Sequence, residues 1–115
     1  MIEKTVRDFL VSKGYEAYVQ LTPTQEHGAT YLVIQRTGTS LENLVSGARI
    51  VIQSYAPTFL EAGRLNDEVI RHMVREFMTV RNVSACRLEN SYPQIDLRTK
   101  ETRFQAVFYV TYMEV

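Results

Sequence analysis

The residues able to do chemistry in this chain are few and scattered. Two histidines, His27 and His72, and one cysteine, Cys86, are the whole supply of imidazole and thiol in 115 residues. A metal site needs two or three ligands at matched spacing, and neither histidine has a second His or a Cys nearby in sequence. His27 stands beside Glu26 in a polar stretch and His72 lies one helical turn beyond Glu68. Their expected places are a loop and a solvated helix face. Cys86 sits within Ala85-Cys86-Arg87-Leu88, a strand-like context in which a lone cysteine is most often core. Ser12, Ser40, Ser46, Ser54, Ser84 and Ser91 fall in no nucleophile elbow or triad, and the glycine-rich phosphate-cradling patterns are absent. Acidic residues are too dispersed to nominate a carboxylate pair. Arg98, Lys100 and Arg103 form a small basic cluster offset by Asp96 and Glu101, which reads as a solvated hairpin tip. The sequence predicts no enzyme, no metal and no cofactor.

The elements that would position these groups follow from periodicity. Ile2, Val6, Phe9 and Leu10 recur on one helical face, and Gly14 follows where a left-handed helix end is wanted. Glu16 to Leu21 alternates like a half-buried strand, and Thr22 to Gly28 is a polar loop with Pro23. Tyr31 to Arg36 and Ala48 to Tyr55 are strands, separated by an irregular stretch from Thr37 to Gly47. Thr39 and Glu42 have capping-box spacing there, which allows a single helical turn over Leu41 to Val45. Pro57 ends the third strand, and Thr58 with Glu61 caps a long helix running to about Met78. Its apolar stripe is Ala62, Leu65, Val69, Met73 and Phe77, flanked by Phe59, Ile70 and Val74. Asp67–Arg71 and Glu68–His72 have the spacing of favourable ion pairs on that helix. Val83 to Leu88 reads as a fourth strand, Asn90 to Arg103 as a long polar loop, and Phe104 to Met113 as the last strand. The expected fold is α+β: a mostly antiparallel sheet of four to five strands with two helices on one face, in the order α-β-β-β-α-β-β. All 115 residues are expected to form one domain.

Composition narrows the function classes. Thirteen basic and thirteen acidic residues cancel, which argues against a dedicated binder of nucleic acid or of anionic membrane. One cysteine gives no disulfide framework. The first eight residues carry mixed charge rather than the apolar run of a signal peptide, and no apolar stretch approaches the ~18–20 residues of a membrane span. These features are expected of a protein made in a reducing cytoplasm.

Each of the three clearest strands has a second face almost free of charge. One set of alternating residues is an evident core. The other comprises Tyr31, Val33 and Gln35; Arg49, Val51, Gln53 and Tyr55; and Gln105, Val107, Tyr109, Thr111 and Met113. Arg49 is the single charge among these twelve, where a free surface, roughly 25–35% charged, would carry about three or four. Aromatic enrichment with charge depletion is the composition of an interface centre. The twelve residues are therefore the expected subunit interface. A further layer of the same chain would need more helix than the sequence offers. A stacking platform for single-stranded nucleic acid would need more than one arginine.

The segment Gly47-Ala48-Arg49-Ile50-Val51-Ile52-Gln53-Ser54-Tyr55-Ala56-Pro57, with Leu60-Glu61-Ala62 and Leu65-Asn66-Asp67-Glu68-Val69 after it, resembles the tail-terminator (tail-completion, head–tail joining) proteins of long-tailed bacteriophages. The resemblance extends to Tyr31–Gly38, Glu42-Asn43 and the closing Arg103–Tyr112, and so covers nearly the whole chain. It is one of pattern and order, without a catalytic motif. It implies a non-enzymatic virion protein at the head-proximal end of the tail, assembled with itself into a ring, commonly a hexamer. Such a ring stops tail-tube polymerisation and meets both the tail-tube protein and a head connector or completion protein. DNA would pass through it without specific binding, and no membrane is involved. A neighbouring head–tail connector role, or a small ligand- or peptide-binding regulatory domain, is the alternative reading.

Overall fold

The computed structural model describes residues 1–20, 26–42, 45–95 and 102–113, with the side chains of Glu42 and Ile95 excepted. In chain order the elements are α1 (Ile2–Ser12), β1 (Ala17–Tyr18), β2 (Tyr31–Glu42), β3 (Val45–Tyr55), α2 (Phe59–Glu76), a short 3-10 turn at Phe77–Thr79, β4 (Val83–Ile95) and β5 (Thr102–Tyr112). The class and the order are those expected. The strands form one sheet in the order β1-β2-β3-β5-β4. Among the described residues every pairing is antiparallel except β1 with β2, which is parallel and holds Ala17↔Leu32 and Tyr18↔Val33. The sheet is therefore mixed.

Helix boundaries have local causes. Gly14 adopts φ +97°, which an L side chain resists. There its N–H bonds Val11 O at 3.0 Å, and Tyr15 N–H bonds Leu10 O at 3.2 Å, so the last carbonyls of α1 are satisfied. At the other helix, Thr58 is extended and its Oγ1 accepts from the Glu61 N–H at 3.2 Å.

Both helices pack on the same side of the sheet. Ile2, Val6, Phe9 and Leu10 of α1, with Leu65, Val69 and Met73 of α2 and then Phe77, meet Leu32, Ile34, Ala48, Ile50, Ile52, Ala106, Phe108 and Val110 in one core. Phe77 and Phe108 have no exposed surface, and burying such a side chain is worth ~1.5–3 kcal/mol. Phe9 and Phe77 meet edge to face, with centroids 5.2 Å apart.

Two regions expected to be loops are strands instead. β2 continues to Glu42 and β3 begins at Val45, so the helical turn over Leu41 to Val45 does not form; Asn43 and Leu44 lie outside the described residues. Ser40↔Gly47 and Leu41↔Ser46 pair in register, and the backbone bonds of that ladder outcompete a lone turn. Likewise β4 runs to Ile95 and β5 starts at Thr102. The long polar loop shrinks accordingly, and Asp96, Arg98, Lys100 and Glu101 lie outside the described residues. The same is true of Leu21 and most of the first expected loop. On α2, Glu68 accepts from the Tyr15 hydroxyl at 3.0 Å, and His72 Nδ1 lies 3.5 Å from Glu76.

Candidate functional site

The sheet side away from the helices is set by register. Residues directly opposite one another in an antiparallel pair share a face. The ladder aligns Tyr31 with Tyr55, Val33 with Gln53 and Gln35 with Val51. It then aligns Arg49 with Tyr109, Val51 with Val107, Gln53 with Gln105 and Gly47 with Thr111. Eleven of the twelve expected residues thus share one surface. Met113 stands apart: it is 53% exposed past the end of β5, beside a cavity of about 180 Å³ lined also by Met1, Ile2 and Tyr112.

Side chains lie across this surface and satisfy one another. The Tyr55 hydroxyl donates to Gln53 Oε1 at 3.3 Å, Gln53 Nε2 donates to Gln105 Oε1 at 3.0 Å, and Gln105 Nε2 donates to the Tyr92 hydroxyl at 2.9 Å. This row crosses β3, β5 and β4. Arg103 donates to the Tyr55 hydroxyl at 2.8 Å and to Gln94 Oε1 at 3.3 Å. Tyr31 and Tyr55 stack with centroids 4.7 Å apart and ring planes 5° from parallel. The His27 and Tyr31 ring centroids are 4.0 Å apart, with the rings tilted. That packing leaves Tyr31, Val33, Val51 and Gln53 buried, while Tyr55, Gln105, Val107, Tyr109 and Thr111 are half-buried.

The edge strand brings charge that period-2 reading of the other strands did not register. Arg87 pairs with Tyr109, its guanidinium 5.0 Å from the ring centroid. Glu89 takes Arg49 Nε at 2.7 Å. The bond from Arg49 holds the Glu89 carboxyl below the usual range, and the same bond raises the Arg49 guanidinium. β4 has register shifts between Val83 and Ala85 and between Leu88 and Asn90. Each adds a residue and flips the alternation, which is why sequence spacing alone did not place Arg87, Asn90 and Tyr92 on one face. Arg103, the described member of the basic cluster, also belongs here, its guanidinium 5.7 Å from the Tyr55 ring centroid.

The reactive residues stay apart. Cys86 is buried on the helix side, and burial pushes its thiol up to about 12. Among the described residues no group of three or more His, Cys, Asp or Glu is placed to hold a metal ion. Glu16 is held below the usual carboxylate range by the Tyr18 hydroxyl and then by the Gly28 N–H. Among the described residues no helix is long and apolar enough to cross a membrane.

No family model matches this sequence, and no curated protein is similar to it. A solved structure is similar: a chain in the virion of a native gene transfer agent particle, with a TM-score of 0.61 and 14% identity. The likeness covers 92% of this chain and 84% of that one. The two chains share a fold. At that identity the likeness carries topology and not residue roles, so the open face rests on its own geometry.

Proposed function

We propose that this protein is a non-enzymatic structural component of a phage-like virion. In this reading it acts at the head–tail junction as a tail terminator, by self-assembly into a ring through the open sheet face. The shared fold with a chain of the gene transfer agent virion supports a virion role. The sequence resemblance to tail terminators supports the position at the tail end, with the tail-tube protein and a head connector as neighbours.

The observation that carries the assembly reading is the Tyr55–Gln53–Gln105–Tyr92 row. An amide buried without a partner costs about 1–3 kcal/mol. Here the amides bond across the sheet before any partner arrives, so covering them forfeits few bonds to water. Val107 and the rings of Tyr55 and Tyr109, half-buried in the isolated chain, supply the apolar area. A closed ring requires a heterologous contact, one patch meeting a different patch on the neighbour.

The test is sedimentation velocity with negative-stain imaging of the purified protein. Rings with a central channel are expected. Val107→Glu, which puts a carboxylate between half-buried neighbours, should leave a folded monomer by circular dichroism. Rings that persist in Val107→Glu would remove the open face from the assembly.

A further inference from the structure

Taking self-assembly through the open face as given by the proposed function, we infer that the patch it meets on the neighbouring copy is the outer side of the N-terminal half of α2. The open face and the helical layer lie on opposite sides of the sheet, so a contact between them runs head to tail, as a ring requires.

Both surfaces carry what the other lacks. At the start of α2, Phe59 and Leu60 are 53% and 62% exposed. Phe59 leans on Phe104, with centroids 5.1 Å apart, and Leu60 is the next residue of the helix. Adjacent apolar side chains this open on a helix are anchors awaiting a surface. Around them the first half of the helix has two carboxylates, Glu61 and Asp67, against Arg64 alone. The open face over β3, β5 and β4 is opposite in sign: Arg49, Arg87 and Arg103 against Glu89. Arg87 and Arg103 stack on tyrosines, and neither meets a carboxylate in an ion pair among the described residues. Complementary charge of this kind sets orientation and register.

The match is local: the first nine residues of α2 span about 14 Å, the length of about four residues of strand, so the flank covers the half-buried part of the face around Val107 and Tyr109 rather than the whole sheet.

The experiment uses two variants of the full chain, each with one half of the contact disabled. Leu60→Asp removes the anchor on α2 at a site where an acid suits the helix start, and Val107→Glu disables the open face. Arg87→Glu, on the exposed edge strand, serves should Val107→Glu fail to fold. Each variant alone is expected to sediment as a monomer at concentrations where the natural sequence assembles. Mixed in equal amounts, the two still offer one intact α2 patch and one intact sheet face, so they should form a one-to-one dimer and stop there. Native mass spectrometry reads the dimer directly, with affinity at least tenfold above that of either variant for itself. If Leu60→Asp assembles as the natural sequence does while Val107→Glu stays monomeric, the α2 patch is wrong and the open-face reading stands. A mixture that remains monomeric also overturns the pairing. A natural sequence that stays monomeric at every attainable concentration overturns this inference together with the ring on which it rests.

Discussion

The Tyr109 ring lies over Gly47 and carries its hydroxyl to 2.9 Å from Ser40 Oγ. A Cβ built on Gly47 would stand 2.0 Å from that hydroxyl oxygen and 2.7 Å from the ring carbon bearing it. Gly47 needs no unusual backbone angle; its missing side chain is the space the tyrosine fills. Gly47→Ala must expel the ring or bend the hairpin, and overpacking of this sort costs about 1–3 kcal/mol. In a Tyr109→Ala background the same change should cost far less, because the obstruction has gone. Urea unfolding of the four proteins in that cycle measures the coupling. Equal costs in both backgrounds would mean that the contact is not where the strain falls.

That contact also shows why part of the fold was legible in sequence and part was not. The core faces were plain because Leu32, Ile34, Ile50, Ile52, Phe108 and Val110 alternate with residues of another kind. The distal hairpin was not plain. Thr37, Gly38, Ser40, Ser46 and Gly47 show no alternation, since that arm has little core beneath it, and two glycines read as punctuation. Only the neighbouring-strand side chains that lie over it, Tyr109 and Ser40, explain Gly47. The open face was half legible for a related reason. The three strands with clean alternation gave its tyrosines, valines and glutamines, while the bulged strand β4 hid Arg87, Glu89 and Tyr92 behind two shifts of phase. Asn66 was missed because it falls beside the apolar stripe of α2 and only burial distinguishes it from a surface asparagine.

Gln105 joins two neighbours at once, accepting from Gln53 and donating to Tyr92. Gln105→Met keeps the length and removes both bonds. Gln53 is 9% exposed, so its amide loses a partner that water replaces poorly, and the expected loss is about 1–3 kcal/mol. Thermal or urea unfolding reads this. Tyr92→Phe removes only the outer bond and should cost less, about 1 kcal/mol, because that hydroxyl lies on an exposed residue.

Acid should loosen the open face through Glu89. Its carboxyl titrates below the ordinary carboxylate range because it takes a bond from Arg49. A group whose folded value is depressed contributes stability that is present above its unfolded value and lost as pH falls through its folded one. The unfolding midpoint should therefore fall on acidification through and below the usual carboxylate range. Glu89→Gln should show a flatter acid limb than the natural sequence and little difference below it. An acid limb unchanged by Glu89→Gln would exclude this pair as a contributor.

Buried Asn66 of α2 bonds Ser91, an exposed residue of the edge strand. Asn66 is 2% exposed, its Nδ2 donates to Ser91 Oγ at 2.9 Å, and its Oδ1 has no partner among the described protein groups. Ser91→Ala alone strands the amide nitrogen as well and should cost about 1–3 kcal/mol. Replacing both partners removes the polar demand altogether. Asn66→Leu with Ser91→Ala is expected to be no less stable than the natural sequence, and more stable than Ser91→Ala by at least about 1 kcal/mol, since two apolar groups of similar shape lose no bond on burial. Urea unfolding of the single and double variants decides it. A double variant weaker than Ser91→Ala would mean that the unpaired Oδ1 contributes to the fold in a way that apolar packing does not replace.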